Sequence, residues 1–192
     1  MCLRIITNAA AASLLWAFSV PAHATSPVEN DVRIHFVYIG ASTCGVSNSQ
    51  RTKMGVTRVR DTVREWAEKQ GYHFTVTGIA TDVDLDSGWK FLKENGPFDQ
   101  VIIGLGWHNE GFQAFVVLFH EPDSLPDLGI PQVVVIEEQR TTSKQTVKVV
   151  REPRLLIRLL GTVIPLVDRD KVISILNQNA KLGRSSKSPP SQ

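Results

Sequence analysis

Apolar and polar positions follow two periods along this 192-residue chain, and the switches between them mark out a series of strands and helices. Residues 33–39 begin with alternation and end as a continuous apolar run, the pattern of a strand entering the covered middle of a sheet; Gly40 closes it. From about Cys44 to Gln70, the positions Val56, Val59, Val63, Trp66 and Ala67 recur at helical spacing. Glu65 is placed to pair with Lys69, and Gly71 suits the position just past the helix end. Residues 72–79 alternate again and predict a second strand, weakened near its end by Gly78. Asp86 is a candidate cap for a short helix carrying Trp89, Phe91 and Leu92, which Gly96-Pro97 stops ahead of a short strand at 101–103. Asn109 is a candidate cap for a further helix in which Phe112, Phe115, Val116 and Phe119 form a core-facing stripe.

Beyond a proline-containing turn at 121–126, the segments 128–136 and 145–150 predict two strands in a hairpin. Pro131 then stands at a strand start, where a missing N–H is tolerated. Leu155, Leu156, Leu159 and Leu160 predict a short helix, and Val172, Ile173 and Leu176 a terminal one. Residues 183–192, rich in Ser, Pro and Lys, predict a disordered tail.

The first 24 residues predict a secretory signal: Arg4 as the basic start, an apolar stretch over about 5–20, and Ala22-His23-Ala24 as the cleavage pattern. The stretch is shorter than the ~20 apolar residues a membrane span needs and ends at a proline. Residues 25–31 then form a linker and 32–182 one domain. The expected product is a soluble periplasmic or secreted protein with no stable membrane span. Without Arg4 the chain keeps 20 basic against 19 acidic residues, a balance that gives no pointer to nucleic acid or to an anionic membrane. Of the two cysteines, Cys2 lies in the expected signal. That leaves Cys44 as a free thiol, an intermolecular partner or a small-molecule adduct, and excludes an internal disulfide framework.

Cys44 sits in Ala41-Ser42-Thr43-Cys44-Gly45-Val46-Ser47, between the first strand and the long helix. Unpaired backbone N–H groups and the helix dipole at such a place favour thiolate over thiol. Two readings follow: a nucleophile that forms mixed disulfides, or a small half-buried residue at a helix start. Ser47, one turn along, is either a donor to the thiolate or a tolerated small polar residue. Trp107-His108-Asn109 follows the third strand; if that strand is parallel to the first, this segment shares a rim with Cys44. His108 is then a base or ligand on the rim, or an exposed member of a capping turn. His35, His73 and His120 are scattered without metal-type spacing, so neither a metal nor another cofactor is expected.

The order of elements, with Cys44 after the first strand and Gly129-Ile130-Pro131 before a strand hairpin, resembles the thioredoxin superfamily over roughly residues 33–150. Phe91-Leu92-Lys93-Glu94-Asn95-Gly96 followed by an apolar strand resembles the start of the insertion found in the exported TlpA-like and peroxiredoxin-like branches. The resemblance implies an α/β, three-layer fold with a central mixed sheet, an inserted βα unit at about 96–128 and a C-terminal helical extension. It also implies a cis Pro131 beside the cysteine motif, with the backbone of Ile130 open to an extended substrate; Trp107 joins that candidate docking rim only through the parallel placement of the third strand. The motif departs from the family at two places. Thr43 replaces the usual tryptophan and Ser47 the resolving cysteine, which leaves a monothiol CxxS motif without the dithiol cycle. The segment Ala41-Ser42-Thr43-Cys44 holds no proline, against peroxidase chemistry. The function implied is thiol–disulfide exchange through Cys44 and Ser47 with exported protein thiols or small thiols. The alternative is a non-catalytic periplasmic binding or assembly module on the same scaffold.

Overall fold

The computed structural model describes residues 29–118, 129–142, 147–149 and 153–185. The expected signal, most of the linker, Phe119, the turn at 121–126 and the end of the tail lie outside the described residues. In chain order the elements are β1 (Glu29–Gly40), α1 (Gly45–Asn48), α2 (Gln50–Lys69), β2 (His73–Ala80), α3 (Leu85–Asn95), β3 (Gln100–Ile103), α4 (Glu110–Leu118), β4 (Gln132–Thr142), β5 (Val147–Val149), β6 (Arg154–Leu160) and α5 (Arg169–Ser185). Short 3-10 turns at Gly106–His108 and Gly161–Leu166 precede α4 and α5.

The protein is α/β with one mixed sheet. Its order runs β3-β2-β1-β4, with β5 and β6 sharing the far edge of β4: β5 pairs with Arg140, Thr141 and Thr142, and β6 with the stretch from Gln132 to Glu137. The pairs β1–β2 and β2–β3 are parallel, and β1–β4 is antiparallel. β1 starts before residue 33 because its first residues pair with the end of β4, Glu29 opposite Thr142.

Period-two alternation along β1 divides the core in two. Ile34, Phe36 and Tyr38 join the larger cluster with Val56, Val59, Val63 and Trp66 of α2, Phe91 and Leu92 of α3, and Val172 and Leu176 of α5. Val37 and Ile39 point the other way, into a smaller cluster with Phe112 of α4 and Ile79. The layers are therefore α2, α3 and α5 on one face, the sheet, and α4 on the other. Each of these large side chains contributes about 1.5–3 kcal/mol by leaving water. Trp66 Nε1–H donates to Asn177 Oδ1 at 2.9 Å, fixing α2 to α5. No helix among the described residues is long and apolar enough to cross a membrane.

Four local expectations are corrected. The single helix over 44–70 breaks at Ser49, whose extended backbone (φ −65°, ψ 137°) lets its side chain accept from Thr52 N–H and restart the helix as α2. Asp84, not Asp86, caps α3 by accepting from Ser87 N–H at 2.8 Å. Glu65 pairs with Arg169 of α5 rather than with Lys69. The leucine-rich segment expected as a short helix is strand β6. Its apolar run suits either state when short, and the open edge of β4 supplies the hydrogen bonds that make it a strand.

Candidate functional site

Because β1, β2 and β3 are parallel, their C-terminal ends open onto one rim, and the loops that follow them build the site. The loop after β1 is fastened by Asp82, in the loop after β2. Its carboxylate accepts from Ser42 N–H at 3.1 Å and from Ser42 Oγ at 2.5 Å. Asn48 Nδ2 closes the same loop on the carbonyls of Ser42 (2.6 Å) and Cys44 (3.0 Å). Cys44 is thereby held as the N-cap of α1.

The helix at Cys44 is only the four residues of α1, so the long-helix dipole expected at the thiol belongs to α2 and begins past Ser49. Local donors take its place. Cys44 Sγ accepts from Ser47 N–H at 3.5 Å and, as a thiol, donates to the Ile130 carbonyl at 3.6 Å. Burial opposes ionisation, but the polar groups of Ser47 and the Val46 N–H outweigh it and hold the thiol below its ordinary value. Cys44 is a free, half-buried cysteine.

Across from it, the Ile130–Pro131 peptide bond is cis. The Pro131 carbonyl accepts from Gly161 N–H at 2.8 Å, which brings the turn after β6 to the rim. Gly161 has φ +49° there, a backbone that glycine adopts without strain. A cleft of about 370 Å³ lies beside the cysteine, lined by Gly45, Val46, Ser49, Thr162, Pro165 and Leu166 among others.

The structure thus gathers Cys44, Ser47, Ile130 and Pro131. Trp107 stands on the same rim through the loop after β3, where Gly106 N–H reaches the Asp82 carbonyl at 3.4 Å. It makes no hydrogen bond to Cys44 and packs edge-on against Phe112, ring centres 5.1 Å apart. His108 is an exposed member of the 3-10 turn, and Asn109 Oδ1 caps α4 by accepting from Gly111 N–H and Phe112 N–H. Asp82 and Tyr38 escape the sequence reading. Asp82 follows a strand end at the rim, a position that points to it; Tyr38 reads only as one more core position of β1.

A sheet in the order β3-β2-β1-β4, a cysteine capping the helix that follows the central strand, and a proline opposite it at the head of the antiparallel strand decide the architecture. The fold is thioredoxin-like. No protein-family model matches the chain, and no curated protein matches it. Solved structures similar to it include a thiol-disulfide oxidoreductase from Bacteroides fragilis NCTC 9343, 15% identical over 69% of this chain and 75% of that one, with a TM-score of 0.38. Yeast Sco1 with copper bound is 14% identical over 82% and 83%, TM-score 0.39. Arabidopsis thaliana ScoI with copper bound is 14% identical over 80% and 85%, TM-score 0.37. At these identities and TM-scores the likeness carries no argument, and the architecture rests on the strand order and the rim geometry themselves.

Proposed function

We propose that this is an exported thioredoxin-like protein whose Cys44 acts as a monothiol nucleophile in thiol–disulfide exchange, with exported protein thiols or small thiols as partners. The observation that carries the reading is the seat of Cys44 Sγ, half-buried at the rim, 3.5 Å from the Ser47 N–H and facing the Ile130 carbonyl. Donors around the sulfur favour its thiolate, the form that reacts. The thiolate attacks one sulfur of a partner disulfide; the new S–S bond forms as the old one breaks, and the second partner sulfur leaves as thiolate with the bonding pair. Ile130 offers its backbone to an extended chain, the cleft beside Val46 takes an adjoining side chain, and Trp107 flanks the rim.

Ser47 has a hydroxyl where a resolving thiol would stand. Release therefore requires a thiol from the partner or a small molecule, and adducts are long-lived. Export rests on the pattern of residues 1–24. Among the described residues no three His, Cys, Asp or Glu side chains gather as a metal site.

The test is alkylation of Cys44 against pH in the folded and unfolded protein, together with exposure to oxidised glutathione. An inflection below the unfolded thiol's ~8.5 and a glutathione adduct on Cys44 are expected. An unshifted inflection with no adduct overturns the reading and leaves the binding module, whose partner affinity survives Cys44→Ser.

A further inference from the structure

Five buried side-chain polar atoms among the described residues have no hydrogen-bond partner: Tyr38 Oη, Ser47 Oγ, Arg60 Nη1, Asn95 Oδ1 and Arg154 Nε. The last three belong to groups bonded through their other atoms: Arg60 to Asp61, Asn95 to the Phe91 carbonyl, and Arg154 to Glu137 and the Asn179 carbonyl. Tyr38 and Ser47 are different. Each has a single hydroxyl and each residue is fully buried; Ser47 N–H donates to Cys44 Sγ at 3.5 Å, and the Ser47 side chain interacts electrostatically with both the Tyr38 hydroxyl and Cys44. Two buried O–H groups beside one sulfur lack an acceptor, and a buried group left unmade costs more than a made bond returns.

The acceptor they lack is available in another state of the site. As a thiol, Cys44 donates to the Ile130 carbonyl at 3.6 Å. Loss of that proton removes the bond and leaves a charged sulfur able to accept further donors beyond the Ser47 N–H at 3.5 Å. We infer that Tyr38 and Ser47 form a hydroxyl relay for the Cys44 thiolate, in which Tyr38 O–H donates to Ser47 Oγ and Ser47 O–H donates to Cys44 Sγ. No proton travels along it. The thiol proton leaves to a solvent base, and both hydroxyls keep theirs. Tyr38 is a positioning residue acting through Ser47, and its ring is fixed for the task by Phe91 and Phe98, whose centres lie 6.0 and 6.5 Å away. Gly40 keeps the space open, because a Cβ there would lie 2.7 Å from the Phe91 ring and 3.1 Å from Tyr38 Oη.

A second consequence concerns Ile130. Its carbonyl holds the thiol proton in the resting site and is released on ionisation. A substrate backbone N–H that takes this carbonyl displaces the S–H donor, so docking and thiolate formation favour one another.

The inference rests on the monothiol reading and is separable from it. Cys44 alkylation rate against pH is measured for the wild type, Tyr38→Phe, Ser47→Ala and the double variant. Each single change is expected to raise the inflection by about one unit, the size of one lost bond to a charged group. The double variant is expected to move no further than Ser47→Ala, because both act on one chain. A Tyr38→Phe profile that overlays the wild type overturns the relay. Should Tyr38→Phe not fold, as judged by circular dichroism, Ser47→Ala with Ser47→Thr as rescue decides it, an unchanged Ser47→Ala inflection being fatal. A wild-type inflection equal to that of the unfolded chain defeats the monothiol reading itself; a lowered one unmoved by the variants defeats only the relay.

Discussion

Strand β1 supports two polar sites on its opposite faces, and they are built in opposite ways. On the α4 face, His35 Nε2 meets Glu138 at 3.0 Å, His35 Nδ1 meets Thr75 Oγ1 at 2.7 Å, and Arg140 grips Glu138 through both Nε and Nη2. Glu138 is held below its ordinary value by the Arg140 guanidinium, so it is an acceptor only. His35 must then donate from Nε2 and, as neutral imidazole, accept the Thr75 hydroxyl at Nδ1. Burial lowers the His35 pKa although Glu138 pulls it up. None of the buried polar atoms in this cluster lacks a partner. On the other face, Tyr38 and Ser47 present two buried hydroxyls with none.

The contrast separates a polar cluster that holds the sheet together from one that waits on a change of charge. A satisfied network stiffens the strands it joins. An unsatisfied one persists where another state of the site uses it, here the ionised sulfur.

The comparison breaks most sharply at Cys44 itself. Cys44→Ala is expected to abolish glutathione adduct formation completely, read by mass spectrometry, while unfolding free energy moves by less than about 1 kcal/mol, as for a half-buried small residue. Survival of the adduct would place the reactive group elsewhere. At the other site Glu138→Ala strands His35 and Arg140, and urea unfolding is expected to show a loss of about 2 kcal/mol. The Cys44 inflection should stay where it was; a moved inflection would mean the two sites are coupled through β1.

A smaller effect comes from pH. The His35 pKa is lower in the fold than the unfolded value of about 6.5, so the unfolded chain binds more protons as the pH drops. Stability from this group is present above about pH 6.5 and is lost as the pH falls below it; Glu138 adds a further loss below about 4.3, its unfolded value. Thermal melts should therefore decline from pH 7 to 5, and His35→Gln should flatten that stretch. An equally steep decline in the variant would assign the effect to other groups. The smallest change is expected from Trp107→Ala, which removes a half-exposed ring from Phe112 and should cost about 1 kcal/mol without shifting the Cys44 inflection. A shift would bring Trp107 into electrostatic reach of the sulfur.

Much of this architecture was legible from periodicity. The strands β1, β2 and β3, the Asn109 cap and the hairpin entered at Pro131 all follow from local patterns of two or of 3.6 residues, because those patterns record which side of an element meets the core. Ser49 did not stand out, since the apolar stripe of α2 continues past it on one side only and a cap shows in backbone angles rather than in hydropathy. In β6 the residues Leu155, Leu156, Ile157, Leu159 and Leu160 leave hardly any polar face from which a period can be taken, so the segment fits a helix as well as a strand.

Sequence alone determined that the chain alternates strands with helices, that Cys44 follows the central strand, and that a hydroxyl replaces the thiol at Ser47. These are properties of residue type and short-range order. The tertiary structure alone decided that the Ile130 carbonyl meets Cys44 Sγ across 86 positions of chain, that Asp82 ties down the loop of Ser42, and that the Tyr38 and Ser47 hydroxyls are both buried without a partner. Such meetings depend on strand register and loop closure, which sum over the whole sheet, and no window of neighbouring residues contains them.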